Sequence, residues 1–261
     1  MSEADALSRT AREYLPSPQA FAERVILVTG ATQGIGRAVA ESLVRLGAQT
    51  ILLGRNLKAL DTLHAELGEL GPEPAMARLD FERAQGDQYN ELTDQIEARF
   101  GRLDGLLHNA GILGDRSPIE FYDIGVWQKV MHVNLNAAFI LTRCLLPLLR
   151  QSQDASIVFT TSSVGHQGRA HWGAYAASKF ATEGLMQVLA AELGQSPIRV
   201  NCINPGSTRT RMRSQAFPGE DPDSLPQPAD IVNPYLYLLG SASRGVTGQR
   251  IACQQRAPSR A

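Results

Sequence analysis

The strongest constraint on this chain is a short apolar strand that runs without a break into a glycine-rich turn and then into a helical repeat. These are residues 25–29 (VILVT), Gly30-Ala-Thr-Gln-Gly34-Ile-Gly36 and RAVAESLVRLG. Such a turn lets backbone N–H groups approach a pyrophosphate closely, and the start of the following helix favours negative charge. The spacing is G-x-x-x-G-x-G, not the commoner dinucleotide fingerprint, so taken alone it also fits a plain structural turn. The rest of the chain decides the fold class. β-Branched and aliphatic runs at 25–29, 50–53, 75–80, 104–107, 156–160, 198–204 and 246–252 alternate with helical periods at 34–46, 57–69, 85–100, 123–150, 172–193 and 229–239. That alternation predicts an α/β fold, a doubly wound parallel sheet with helices on both faces. The 261 residues suit one domain, assigned to 22–252, between a polar leader (1–21) and a polar tail (253–261). The segment 217–228 (FPGEDPDSLPQP) has four prolines and one glycine and predicts an irregular loop at the carboxyl end of the sheet, where α/β proteins place mobile lids.

Composition excludes several classes of partner. With 25 basic and 26 acidic residues the net charge is -1, so no global field draws the chain to nucleic acid or an anionic membrane. Arg209, Arg211 and Arg213 form a small basic cluster, which in this context suits phosphate or substrate contact. Three widely spaced cysteines, Cys144, Cys202 and Cys253, fit neither a disulfide framework nor a metal site, and they suit a reducing cytoplasm. No run approaches 18 uninterrupted apolar residues and residues 1–20 lack the apolar core of a secretory signal, so a soluble cytoplasmic protein is expected.

Two groups of residues carry chemistry. The second strand ends in Leu53-Gly54-Arg55-Asn56, where an NAD-selective protein would hold the ribose hydroxyls with an acid. Here Gly54 leaves space and Arg55 offers a planar cationic fork suited to the 2'-phosphate of NADP, or else is a solvated surface arginine. Asp80, after the third strand, could accept from an adenine amino group or cap the segment that follows. Further on, a strand, a glycine-containing loop and a helix carry Ser162, Ser163 and Tyr175-Ala-Ala-Ser-Lys179. Four residues make about one helical turn, so the phenol and the ammonium share a face. A nearby positive charge would lower the tyrosine pKa and make it a usable general acid and base. With six tyrosines and few lysines, a chance Tyr-x-x-x-Lys has a probability of roughly 7 per cent. One of the two serines, Ser162 or Ser163, can aim at the same site. Asn134, in a run of apolar residues, fits a satisfied core amide. His166, His171 and Trp172 either line a pocket or sit exposed in the loop.

Taken together, these motifs resemble the short-chain dehydrogenase/reductase family over residues 22–250. Thr29-Gly30-Ala31-Thr32-Gln33-Gly34-Ile35-Gly36 is similar to its TGxxxGxG turn, and Asp80 to its adenine-contacting aspartate. His108-Asn109-Ala110-Gly111 resembles its NNAG segment with histidine in first place, and Pro205-Gly206-Ser207-Thr208-Arg209-Thr210 its PGxxxT segment, which grips nicotinamide carboxamide and phosphate. Asn134, Ser162, Tyr175 and Lys179 fall where the family keeps its catalytic four, and the 13-residue spacing favours Ser162 over Ser163. The runs LHNAG, GAYAASKFATEG and RVNCINPG resemble one bacterial subgroup more closely still. The resemblance implies seven parallel strands in the order 3-2-1-4-5-6-7, and Arg55 with the missing acid at Gly54 favours NADP(H) over NAD(H) as cofactor. The resemblance also implies hydride exchange between nicotinamide and a small carbonyl or alcohol, with Lys179 binding the nicotinamide ribose, and a homodimer or homotetramer joined through 123–150 and 172–193. The ending departs from the family: where a glutamine followed by VDGG is usual, this chain reads Gln249-Arg250-Ile-Ala-Cys253, which bears on the second interface of the family's tetramers. The competing function is a cofactor-sensing protein that keeps the nucleotide site without relevant catalysis; intact Tyr175 and Lys179 weigh against it.

Overall fold

Alternation along each strand sorts the core into two layers. In the computed structural model, which describes residues 3–255, β1 (Val25–Thr29), β2 (Gln49–Gly54), β3 (Ala75–Arg78), β4 (Gly105–His108), β5 (Ala155–Thr160), β6 (Ile198–Asn204) and β7 (Arg250–Ala252) form one sheet. It is parallel throughout, in the order β3-β2-β1-β4-β5-β6-β7, as the resemblance implies. Val25, Leu27, Leu106, Ile157, Phe159 and Val200 face one layer, while Ile26, Val28, Leu107, Val158 and Ile203 face the other. Successive side chains on a strand point to opposite faces, so strands apolar at nearly every position are buried on both sides.

Helices cover each layer. On the first lie α4 (Gly86–Phe100), α6 (Ala137–Leu149) and α7 (Gly173–Glu192). On the second lie α2 (Gly34–Arg45), α3 (Leu57–Gly68) and α9 (Asn233–Leu239). The expected helix 123–150 is divided: α5 (Ile124–Met131) passes through a π-helical turn, His132–Asn136, into α6. The run Ile124–Leu149 is long enough, and its most apolar window with a mean hydropathy of 1.3 apolar enough, to cross a membrane by composition, but half of that window is buried in this domain. A core helix meets the same measure.

Two elements lay outside the sequence pattern. Within the leader, α1 (Glu3–Glu13) packs on α9 and β7. Ser8 Oγ accepts from the Ala252 amide and Arg12 donates to the Ala252 carbonyl, both at 3.1 Å, so α1 satisfies backbone groups on the outer edge of β7. Its buried face is only Ser8 and Ala11, too narrow a stripe to read from periodicity. The six-residue α8 (Arg211–Ala216) is capped by Thr210, whose hydroxyl accepts from the Arg213 amide at 3.2 Å. Boundaries also moved. β7 begins at Arg250, not 246, because Gly245 and Gly248 take positive φ, and β3 stops at Arg78 because Asp80 starts a turn, its carbonyl accepting from Arg83 and Ala84.

Candidate active site

The carboxyl ends of β1, β2, β4, β5 and β6 open into one cleft with a cavity of about 330 Å³. Nearly all the expected site residues line it: Gly30, Thr32, Gln33, Gly34, Ile35, Arg55, Asp80, Asn109, Ala110, Gly111, Ser162, Tyr175, Lys179, Pro205, Gly206, Thr208 and Thr210. Gly36 and Asn134 do not. Gly36 lies behind the turn, where a Cβ would come within 2.4 Å of the Gly30 carbonyl oxygen, so only glycine lets α2 begin that close to β1. Asn134 Oδ1 accepts from the Ile112 amide at 2.8 Å, and its Nδ2 donates to the Ile112 carbonyl and to Ser178 Oγ, each at 3.0 Å. It therefore ties the π turn to the β4 loop and α7.

Thr29 fastens the two ends of the nucleotide cleft together. Its hydroxyl donates to the Leu107 carbonyl and accepts from the amides of Asn109 and Ala110 at 2.9 and 3.0 Å. The adjacent His108 is buried, stacks on Phe159 at 4.6 Å and meets Thr142 Oγ1 at 2.8 Å. Burial, with the Lys179 charge nearby, pulls it down to about 3, so it is a neutral core group. At the β2 end, the room expected at Gly54 is taken: a Cβ there would meet Thr32 Cγ2 at 3.2 Å and Leu60 at 3.4 Å. Arg55 stays 64% exposed and only loosely paired with Glu82 at 3.8 Å. Asp80 Oδ1 accepts from the Glu82 amide at 3.1 Å, the capping role that its sequence context had left open.

Tyr175 is buried, at 8% exposure. Burial pushes its phenol up to about 12, outweighing the neighbouring Ser162, which favours the phenolate. The expected lowering by Lys179 is not found, because the ammonium, 5.7 Å from the ring centroid, donates to the Thr160 carbonyl at 2.7 Å. Burial pulls Lys179 down to about 8. Of the two serines, Ser162 lines the cleft with Tyr175, while Ser163 does not and opens a 3₁₀ turn that ends at Gly165. Trp172 lines the cleft, whereas His166 and His171 do not and are exposed.

Sequence reading missed the lid contacts. Leu113, Trp172, Met212 and Ala216 make an apolar wall beside Tyr175. Arg116 closes it, its guanidinium 4.6 Å from the Trp172 ring and 4.9 Å from the Phe217 ring while it donates to the Ala216 carbonyl. Arg213 covers the Phe217 ring at 3.8 Å and is held by Glu220. The aromatic-rich loops hinted at a pocket, but no spacing rule joins residues 116, 172 and 217.

The chain matches the family model described as short chain dehydrogenase over residues 24–221. It is 52% identical over 242 residues to the oxidoreductase YciK of Escherichia coli K12, covering 92% of this chain and 96% of that one. Among solved structures it resembles a short chain dehydrogenase from Shigella flexneri with a TM-score of 0.93 and 51% identity, over 95% of this chain and 98% of the other. A second, from Shigella flexneri 2a strain 301 and complexed with NADP, superposes with a TM-score of 0.90 at 52% identity, over 92% of this chain and all (100%) of the other.

Proposed function

This chain belongs to the short-chain dehydrogenase family of oxidoreductases, and from that premise we propose that it reduces carbonyl groups, or oxidises the matching alcohols, with NADP(H). The observation that carries this reading is the meeting of Ser162, Tyr175 and Lys179 in one cleft continuous with the glycine-rich turn. The backbone cradle suits a dinucleotide: Gly30 adopts φ +65°, and a Cβ there would press on the Ala110 backbone at 3.0 Å. In this reading the turn 30–36 and Thr210 hold the pyrophosphate, Asp80 the adenine, and Arg55 the 2'-phosphate. The segment Pro205–Thr210 holds the nicotinamide. The NADP complex of the Shigella flexneri relative supports the choice of cofactor.

When bound, the cofactor supplies or removes hydride at the substrate carbon. Everything else falls to the protein. As hydride arrives, negative charge grows on the carbonyl oxygen and must be met by a proton and by hydrogen bonds. Tyr175, a phenol held protonated by burial, donates the proton while Ser162 fixes the oxygen. Lys179, anchored on Thr160 O, keeps a positive charge behind the phenol. Asn134 fixes the π turn that leads toward Lys179. The wall formed by Leu113, Trp172, Met212 and Ala216 favours a substrate with an apolar body.

The protein also works as a homo-oligomer in this reading, through α5–α6 and α7. Val130, Leu145 and Leu149 are buried within the domain, yet Phe139, Phe180 and Val188 remain 50%, 45% and 54% exposed, an apolar face that a second copy would cover. The decisive experiment is a screen of the purified protein against carbonyls and alcohols by NADPH absorbance, with Tyr175→Phe as control. Turnover lost in the variant while NADPH still binds supports the reading. A wild type that binds NADPH but turns over nothing favours a sensor.

A further inference from the structure

Behind the Ser162 turn lies a charged pair that the mechanism above leaves without a task. Glu183 stands one helical turn beyond Lys179 on α7, with its side chain only 9% exposed. Its Oε1 accepts from Thr161 Oγ1 at 2.6 Å and from Arg250 Nε at 3.0 Å. Arg250 is the first residue of β7, in the segment where the chain departs from its family, and its Nη2 also reaches the Ser162 carbonyl oxygen at 3.5 Å. The Thr161 amide donates to Ile203 O at 2.8 Å. The peptide that presents Ser162 is thus tied to β6 by its backbone, to α7 through the Thr161 hydroxyl, and to β7 through the Ser162 carbonyl. The far side of the turn is as confined, since a Cβ on Gly165 would come within 2.7 Å of Thr161 Oγ1 and 2.8 Å of Lys179 Cβ.

We propose that Glu183 and Arg250 are positioning residues that hold the Ser162 hydroxyl at the Tyr175 phenol and keep a negative charge behind Lys179; this rests on the catalytic reading given above. Stability alone is a poor reason for such a pair, because apolar residues of similar volume usually serve a buried position as well or better. What apolar residues cannot supply is directional bonding to the turn. The charges around the pair also fit. Lys179 faces Tyr175 and Glu183 on its own helix, His108 from β4 and Cys202 from β6. Burial lowers Lys179, and Cys202 and Glu183 act against that. Cys202 is itself pushed up to about 12 and is an uncharged thiol at neutral pH, so Glu183 is the charge that supports the ammonium. Glu183 in turn faces Arg250 from β7 and the exposed His166, whose Nδ1 lies 4.0 Å from Oε2.

The test compares wild type, Arg250→Met, Arg250→Lys and Glu183→Gln. A carbonyl that the wild type reduces serves as substrate, NADPH affinity is followed by fluorescence, and backbone hydrogen exchange of 161–166 is read by mass spectrometry. Arg250→Met is expected to lower kcat about 10- to 100-fold, as small misplacements of reacting groups do, with NADPH affinity within about twofold of wild type. Exchange of 161–166 should quicken in the same variant. Arg250→Lys restores part of both, since an ammonium still pairs with Glu183. Glu183→Gln moves the alkaline limb of the kcat profile to lower pH, because the Lys179 ammonium loses its counter-charge and deprotonates sooner. Wild-type kcat and exchange in Arg250→Met overturn the proposal, as does an equal loss of NADPH affinity and of rate in both Arg250 variants, which marks general unfolding. A wild type that reduces no carbonyl sinks the catalytic reading instead, and exchange in 161–166 still decides whether the pair orders the turn.

Discussion

Strand β5 joins two ends of the molecule that treat buried charge in opposite ways. Just before it, Asp154 is bound by Arg199 at 2.8 Å, Arg24 at 3.1 Å, Arg244 at 3.3 Å and Ser241 Oγ at 2.7 Å. Asp104 beside it takes Ser152 Oγ at 2.6 Å and the Val25 amide at 2.8 Å. Burial opposes ionisation of Asp154, yet Ser241, Arg199 and Arg24 outweigh it and pull the carboxyl down to about 2. At the other end of β5, burial wins. Tyr175 rises to about 12, Lys179 falls to about 8 and His108 falls to about 3. The difference lies in partners: one end surrounds its charge with opposite charge, and the other leaves its groups less fully paired, as the proposed proton transfer requires.

Substitutions at the two ends should therefore separate rate from stability. On the proposed mechanism Tyr175→Phe deletes the acid and little volume, so turnover falls by about 10² to 10⁴. Its melting temperature and NADPH affinity stay close to wild type. Asp154→Ala should do the reverse, costing about 3–5 kcal/mol in urea unfolding because Arg199 is left buried without its counter-charge. The rate per folded molecule is unchanged. Acid should weaken the same end first. The folded pKa of Asp154 lies below its ordinary 3.8, so its contribution is present above about pH 4 and is lost as pH falls toward 2. A variant at either end that moved rate and stability together would break the contrast.

The nucleotide half of the cleft sharpens it further. Arg55 is mostly exposed and its nearest carboxylate, Glu82, is itself held by Lys129 at 2.7 Å, which leaves the guanidinium free to turn toward a phosphate. Arg55→Ala should lower NADPH affinity by about ten- to a hundredfold, the worth of one charge-assisted contact. NADH binding should barely change. Equal losses for both cofactors would mean that Arg55 shapes the cleft and reads no phosphate.

How much of this was legible follows from how local each signal is. The strands, the glycine-rich turn and the Tyr175–Lys179 spacing are written in short-range pattern, whereas the strand order follows only from the family resemblance; the sheet has that order. Helix 123–150 reads as one segment because it is apolar over much of its circumference, so a shift of helical phase leaves no gap in the pattern; the π turn shows only in the backbone of His132–Asn136. The Tyr175 pKa lies above the sequence expectation because sequence gives the spacing of a charge but neither the burial that raises the phenol nor the Thr160 carbonyl that holds Lys179. Asp154 with Arg24, Arg199 and Arg244, like Glu183 with Arg250, joins residues dozens to more than a hundred positions apart, which no periodicity registers.

The smallest effect expected concerns the loop that begins at Phe217, the proposed lid, where the Tyr175 end of the sheet uses charge in a third way. Arg116 lies between the rings of Trp172 and Phe217, and Phe217 in turn between Arg116 and Arg213. Each cation–π contact of this kind is worth about 0.5–2 kcal/mol, enough to bias a lid but not to lock it. Glu220 neutralises Arg213, whereas among the described residues Arg116 has only the Ala216 carbonyl and the two ring faces. Removing Arg116 should therefore loosen the lid without touching Ser162, Tyr175 or the nucleotide turn. Arg116→Ala is expected to raise KM for an apolar carbonyl about threefold to tenfold, the range one such contact allows, with kcat changed far less. Arg116→Lys should recover less than half of the loss, because an ammonium cannot lie flat between two rings as a guanidinium does. A fall in kcat with KM unchanged would place Arg116 with the reacting groups and not with the lid.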